Sequence, residues 1–202
     1  GIRDKLVTGV QTCALPISLV SNFRGATGLQ TAESIADMYR DAWSRFATGV
    51  TVITTVEPSG AVHGMTASSV TSVSLDPPLV LAVIGESRQT HALIESTGRF
   101  GMSILDAGQT EIAKHFATPP ESRGELAEGK LAQLSDTPVI ANAIAAMDCT
   151  VIAAQKAGDH TVFIGKVQSI QVGEGDPLVW FQRQFGGFAD SVSDQNSNSD
   201  SE

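Results

Sequence analysis

Gly49-Val-Thr-Val-Ile-Thr-Thr-Val56 decides the fold class. Its β-branched residues, with Val50 and Val52 alternating with Thr51 and Thr54, predict a strand over Gly49–Val56. Just upstream the period changes. Between Glu33 and Ala47 the apolar residues Ile35, Met38, Tyr39, Ala42, Trp43 and Phe46 recur at helical spacing. That predicts an amphipathic helix with Thr31 as N-cap and Gly49 as stop. Downstream, Glu57-Pro-Ser-Gly60 is a turn and Ala61–Val70 the returning arm of a hairpin. Thr71–Leu75 alternates polar with apolar and is ended by Asp76-Pro-Pro78, because neither proline donates to a ladder. Leu79–Ile84 is a continuous apolar run that suits a central strand.

The same reading continues to the C-terminus. Arg88–Ser96 and Gln109–Phe116 read as short helices and Arg99–Leu105 as a strand. Thr118–Leu134, with Pro119 and Pro120, reads as an irregular surface excursion. Asn142–Gln155 favours strand at its end, over Cys149–Ile152, and runs into a turn at Lys156-Ala-Gly-Asp159. His160–Val172 is rich in Val, Ile and Phe, Gly173–Asp176 turns again, and Pro177–Arg183 closes the body with Trp180 and Phe181 as core candidates. About seven strands with mostly short turns, and no regular strand–helix alternation, speak against a doubly wound parallel sheet. They predict a mainly β, antiparallel Greek-key barrel with peripheral helices.

The chain has 202 residues, 42% apolar and 17% charged, which suits one globular domain with a sizeable core. Its formal net charge is −9, and there is no basic stripe. Nucleic acid is therefore not an expected partner. An anionic ligand must be held by local donors and a few Arg or Lys, since the overall field opposes it. No run approaches the ~18 apolar residues of a membrane-spanning helix, so no membrane partner is expected. Cys13 and Cys149 read as free thiols of a reducing cytoplasm. No Cys/His spacing suggests a metal site.

The ends read differently from the body. Val7–Ile17 resembles the translation of a sequencing-adapter oligonucleotide, so residues 1–18 are taken as a non-native leader; a signal peptide would need an apolar core that is missing. Residues 19–32 are a flexible lead-in, 33–188 the folded domain, and 189–202 a disordered acidic tail with little to bury.

No Gly-x-Gly-x-x-Gly, no Gly-x-x-x-x-Gly-Lys-Ser/Thr and no Gly-x-Ser-x-Gly is present. A dinucleotide enzyme built on this chain cannot use the Rossmann device. The densest chemical cluster is Gly64-Met-Thr-Ala-Ser-Ser69, followed by Ser72, Ser74 and Asp76-Pro-Pro78. Such hydroxyls and backbone N–H groups suit a phosphate or the polar edge of a flat heterocycle. They equally suit an edge strand facing water.

Arg45-Phe-Ala-Thr-Gly-Val-Thr-Val-Ile-Thr-Thr55, Gly64-Met-Thr-Ala-Ser-Ser69, Ser72-Val-Ser-Leu-Asp-Pro-Pro-Leu79, Gly158-Asp-His160 and Gly165-Lys-Val167 together resemble the short-chain flavin reductases, from about Tyr39 to Phe188. These are the reductase components of two-component flavin-dependent monooxygenases. The resemblance implies an FMN-binding split barrel, a homodimer, and flavin near the subunit interface. It implies FMN or FAD as flavin, NADH or NADPH as hydride donor, and delivery of reduced flavin to a separate oxygenase. By the same resemblance, Thr66, Ala67, Ser68 and Ser69, with Ser72 nearby, contact the flavin. Ser87, Arg88 and Thr90 match a phosphate-contacting stretch, although Ser87 also suits an N-cap. His160 stands near the nicotinamide and is the one catalytic candidate, as an orienting hydrogen-bonder rather than an obligatory acid; Asp159 shapes the turn. Phe185 is the aromatic that stacks on the cofactors. Ser103 departs from the family, which commonly has Asn there. Three alternatives remain: a non-catalytic flavin-binding split barrel, an oxidase related to pyridoxamine phosphate oxidase, for which no basic substrate site is evident, and a purely structural dimeric barrel.

Overall fold

The computed structural model describes residues 32–188. Thr31, Cys13, the leader, most of the lead-in and the acidic tail lie outside the described residues. The chain divides into two compact units, Gly1–Met38 and Tyr39–Glu202; of the first, only the opening of helix α1 (Ala32–Ser44) is described. The helix ends at Ser44 rather than running to a stop at Gly49, because Gly49 already belongs to strand β1 (Thr48–Gly49). Tyr39, Trp43 and Phe46, expected on a buried face, stay exposed and stack edge to face on one another.

The predicted first strand is split. Val50 interrupts it by bonding outward, its N–H to Leu178 O at 3.0 Å and its carbonyl to Leu105 N at 2.9 Å. Strand β2 (Thr51–Val56) follows and is buried on both faces, against the expected alternation. The cause is its position. One face packs Ile53 with Phe100, Met102 and Phe163 inside the barrel. The other packs Val50 and Val52 against Ile112, Ala113 and Phe116 of a helix. The threonines are tolerated because their hydroxyls are satisfied: Thr51 donates to Ala67 O, Thr54 to Pro138 O and Thr55 to Arg99 O.

The remaining elements are β3 (Val62–Ala67), β4 (Val70–Leu75), β5 (Pro78–Gly85), α2 (Gln89–Thr97), β6 (Arg99–Ile104), α3 (Thr110–Ala117), β7 (Leu131–Leu134), β8 (Thr137–Ile140), β9 (Ala145–Ala157), β10 (His160–Val172), β11 (Val179–Phe181) and β12 (Gln184–Gly186). The hairpin β7–β8 lies partly inside the expected irregular excursion, and β11–β12 adds a second unexpected one. The main sheet is antiparallel, in the order β3-β2-β6-β9-β10-β5-β4. Its two edge strands, β3 and β4, are neighbours in sequence, joined only by Ser68 and Ser69. Ala67 and Val70 can be at most about 11 Å apart along an extended chain. The sheet must therefore curl until its edges nearly meet, yet β3 and β4 do not pair. That open seam makes the barrel split, in agreement with the fold the sequence implied.

Two fully buried polar side chains, Ser103 and Asp148, tie strands together. Ser103, fully buried, accepts a hydrogen bond from Ile140 N at 2.9 Å, so the serine still ties β6 to β8. Asp148, also fully buried, receives Arg99 at 2.7 Å and the Thr137 hydroxyl, and Arg99 reaches Asp136 at 3.0 Å. Burial, and after it the charge of Asp148, pushes the Cys149 thiol up to about 12. Among the described residues no helix is long and apolar enough to cross a membrane.

Candidate functional site

The seam organises the candidate site. Ser68 and Ser69 span it and are exposed. The Ser69 carbonyl accepts from Val83 N at 2.9 Å, which fixes the connector against the C-terminal half of β5. Two residues on, Gly85 pairs with His160 at the start of β10. A methyl built on Gly85 would lie 3.6 Å from His160 Nε2 and 3.8 Å from Arg88 Cγ. The structure thus brings Ser68, Ser69, Ser87, Arg88 and His160 to one rim, although they come from three distant stretches of sequence.

His160 is held by its neighbour. Its Nδ1 lies 2.7 Å from Asp159 Oδ1. An imidazole that donates Nδ1–H there keeps Nε2 for a ligand, and that is the nitrogen on the Gly85 and Arg88 side. The hydrogen bond from His160 holds the Asp159 carboxyl below its usual range. The Asp159 carbonyl accepts from Glu86 N at 3.0 Å, which ties the turn to the end of β5. The sequence reading missed its second role, orienting the imidazole; adjacency in Asp159-His160 was the available signal. Arg88 makes no ion pair among the described residues, so its charge is uncommitted within the fold. Lys156, close by, is taken by Glu86 at 2.9 Å.

Other predicted residues are placed differently. Thr66 donates its hydroxyl to Ala113 O of α3 at 2.6 Å, and Ala67 gives its carbonyl to Thr51. Their side of the segment is anchored, not free. Ser72 is exposed on β4 opposite Val80, beside a bulge, further down the seam. Thr90, in the first turn of α2, is buried at 1% exposure, and the helix N-cap is Arg88 rather than Ser87, with no side-chain cap bond. Phe185 packs edge to face on Trp180, centroids 4.7 Å apart, against the α3 side of the core. Phe181, expected in the core, is exposed. His91, not singled out from sequence, is buried between Thr161, at 2.8 Å, and the Phe163 ring. Two shallow clefts of about 280 and 290 Å³ run along α3, and no predicted site residue lines either.

With this geometry in hand, the likenesses are informative. Residues 43–189 match the family described as flavin reductase-like domain. The chain is 39% identical over 148 residues to an NADH-dependent flavin reductase of a Rhodococcus species, covering 72% of this chain and 82% of that protein. It is 35% identical over 150 residues to the reductase component of 4-hydroxyphenylacetate 3-monooxygenase from Thermus thermophilus, covering 74% and 94%. The solved structure of a Streptomyces globisporus NADH:FAD oxidoreductase in complex with NAD and FAD fragments superposes with a TM-score of 0.72 at 32% identity, covering 82% of this chain and 99% of that one.

Proposed function

Since the chain belongs to the flavin reductase-like family, we propose that it reduces FMN or FAD with hydride from NADH or NADPH and passes the reduced flavin to a separate monooxygenase. The observation that carries this reading is the seam: an unpaired, hydroxyl-bearing connector beside an uncommitted arginine and a free imidazole nitrogen. That donor set fits a flavin. Ser68 and Ser69 offer hydroxyls and backbone N–H groups to a ring edge, and Arg88 offers the cation a phosphate needs on an acidic body.

When bound, the flavin supplies the hydride acceptor, and the reactivity belongs to the cofactors. The protein's part is placement. His160 Nε2 is aimed over Gly85 toward the rim, where it would donate to or accept from a polar group of the nicotinamide nucleotide. Asp159 keeps that nitrogen pointed outward. Arg88 would anchor a phosphate, and Ser68 and Ser69 would fix the ring edge across the seam. Thr66 contributes by holding the strand, since its hydroxyl is already engaged.

The protein acts as a homodimer in this reading. Leu75 is 90% and Val172 75% exposed, Val73 and Ile170 are also open, and so is the aromatic run Tyr39–Trp43–Phe46. So much open apolar surface favours a covering partner. A reducing cytoplasm suits the buried free thiol of Cys149.

The test is consumption of NADH, followed at the nicotinamide absorbance band, with FMN or FAD added to well-folded protein. Flavin-dependent loss of absorbance is expected. Flavin binding without NADH consumption would leave a non-catalytic flavin protein, and no binding at all would end the reading.

A further inference from the structure

Arg123 lies in the stretch after α3 and belongs to no motif. Yet its guanidinium is engaged through all three of its nitrogens. Nε and one terminal nitrogen donate to Thr118 O at 3.1 and 2.8 Å, and the same terminal nitrogen lies 3.3 Å from Phe116 O. These are carbonyls at the C-terminal end of α3, where a cation is favoured. The other terminal nitrogen donates to Gly64 O of β3 at 3.1 Å. The guanidinium also stacks on the Phe116 ring, 5.1 Å from its centroid.

The acceptor strand is built for this approach. A methyl on Gly64 would lie 2.9 Å from Phe116 Cε1 and 3.0 Å from Ile53 O, so only glycine lets the ring lie against β3. Two residues on, the Thr66 hydroxyl donates to Ala113 O of the same helix. From the other side Thr51 donates to Ala67 O. An edge strand has no neighbour on one side to set its position. Here Arg123 and Thr66 do so, at two points on β3 just before the seam connector.

We propose that Arg123 is a positioning residue for flavin binding: it locks β3 to α3 and thereby sets where Ser68 and Ser69 stand across the seam. The proposal rests on the reading that this connector receives the flavin. Arg123 touches no ligand itself. The planar fork is what the geometry requires, because one group must bridge Thr118 O and Gly64 O at once.

The experiment compares Arg123→Ala, Arg123→Lys, Ser69→Asp and Lys114→Ala in the full chain. Flavin Kd is measured by fluorescence titration, with KM for NADH and kcat at saturating flavin. Lys114 lines the neighbouring cleft and pairs with Glu111, not with β3, so its variant is the control. Both Arg123 variants are expected to raise flavin Kd about tenfold, the scale of one lost charged hydrogen bond. The KM for NADH and kcat at saturating flavin should stay within about twofold, because Arg123 hydrogen-bonds only to backbone of α3 and β3 and to none of the groups assigned to the nicotinamide nucleotide. Lysine failing to rescue supports the fork; lysine restoring the wild-type Kd overturns the proposal. So does a fall in kcat with flavin Kd unchanged, which reports only lost folded protein. If Ser69→Asp weakens flavin binding and the Arg123 variants do not, the Arg123 inference alone fails. If Ser69→Asp has no effect on flavin, the connector reading fails and takes this proposal with it.

Discussion

Replacing Gly85 separates fold from function at the rim. An alanine methyl there would meet His160 Nε2 at 3.6 Å and Arg88 Cγ at 3.8 Å, ordinary van der Waals contact with two exposed side chains. Gly85 sits in β5 without a left-handed backbone, so it needs no glycine for its conformation. Glycine in a strand costs roughly 0.5–1 kcal/mol relative to alanine through its unfolded-state freedom. Gly85→Ala should therefore leave stability unchanged or raise Tm by about 1–4 °C for a domain of this size. The same methyl stands between the two groups assigned to phosphate and nicotinamide nucleotide. Losing one charged hydrogen bond there costs about 1.5–3 kcal/mol, or roughly 10- to 150-fold in Kd. Gly85→Val, with a bulkier side chain, should weaken binding further. Thermal unfolding and titration with flavin and with NAD would be run on the same preparations. Unaltered affinity for both ligands in Gly85→Val would refute the idea that either passes between Arg88 and His160.

Asp159→Asn should raise KM for the reduced nicotinamide severalfold while leaving Tm in place, because the contact it weakens is on the surface; steady-state kinetics at fixed flavin decide this. Arg99→Ala leaves Asp148 buried without its cation and should cost about 2–3 kcal/mol, the lower end for a pair whose arginine is partly exposed; urea unfolding reads it. The Cys149 thiol, held up to about 12, should resist alkylation at pH 8 in the native protein and react once unfolded. Its stabilising effect is complete below about pH 9 and declines as pH rises toward the folded value. Burial, and then Arg123, lowers the pKa values of His63 and His115. Below the unfolded value of 6.5 the unfolded chain takes up protons that the native state refuses. Stability should thus fall with acid through that range, and less steeply in His63→Asn, by denaturant titration across pH.

Much of the fold was legible because its signals are local. The His160–Val172 strand was bounded to the residue, and α2 and α3 lie within one residue of their expected limits. The failures have tertiary causes. The β11–β12 hairpin turns through Gln182 and Arg183, both left-handed, where the residues that normally announce such a turn are absent. The β7–β8 hairpin turns at Ser135, also left-handed, and carries Pro138 within a strand, a residue that argues against strand from sequence. The alternation read for Thr51 and Thr54 gave way to burial on both faces because nothing local announces that Pro138 O and Ala67 O arrive to accept from their hydroxyls. Of the candidate site, Ser68, Ser69, Ser87, Arg88 and His160 were named from resemblance to a pattern. The partners that hold them, Asp159 on His160 and Arg123 on Gly64, carry no pattern beyond proximity in space.

The topology explains why the hydroxyl-rich connector had to be short and polar. A seven-stranded sheet whose edge strands follow one another in sequence can close only by bringing those edges together at the connector. Full closure would pair β3 with β4 and consume their facing N–H and C=O groups in the ladder. Here the edges stay apart: Gly64 O is met by Arg123 instead, while Ala67 O and Ser69 O are held from the paired sides by Thr51 of β2 and Val83 of β5. Ser68 and Ser69, between the two edges, are exposed, and their small side chains would leave room for a flat ring in the proposed reading. Large apolar residues at these two positions would either close the gap or expose themselves to water. In the proposed reading the site uses what the fold leaves unpaired at its seam, so an added β3–β4 hydrogen bond at the connector is expected to weaken flavin binding.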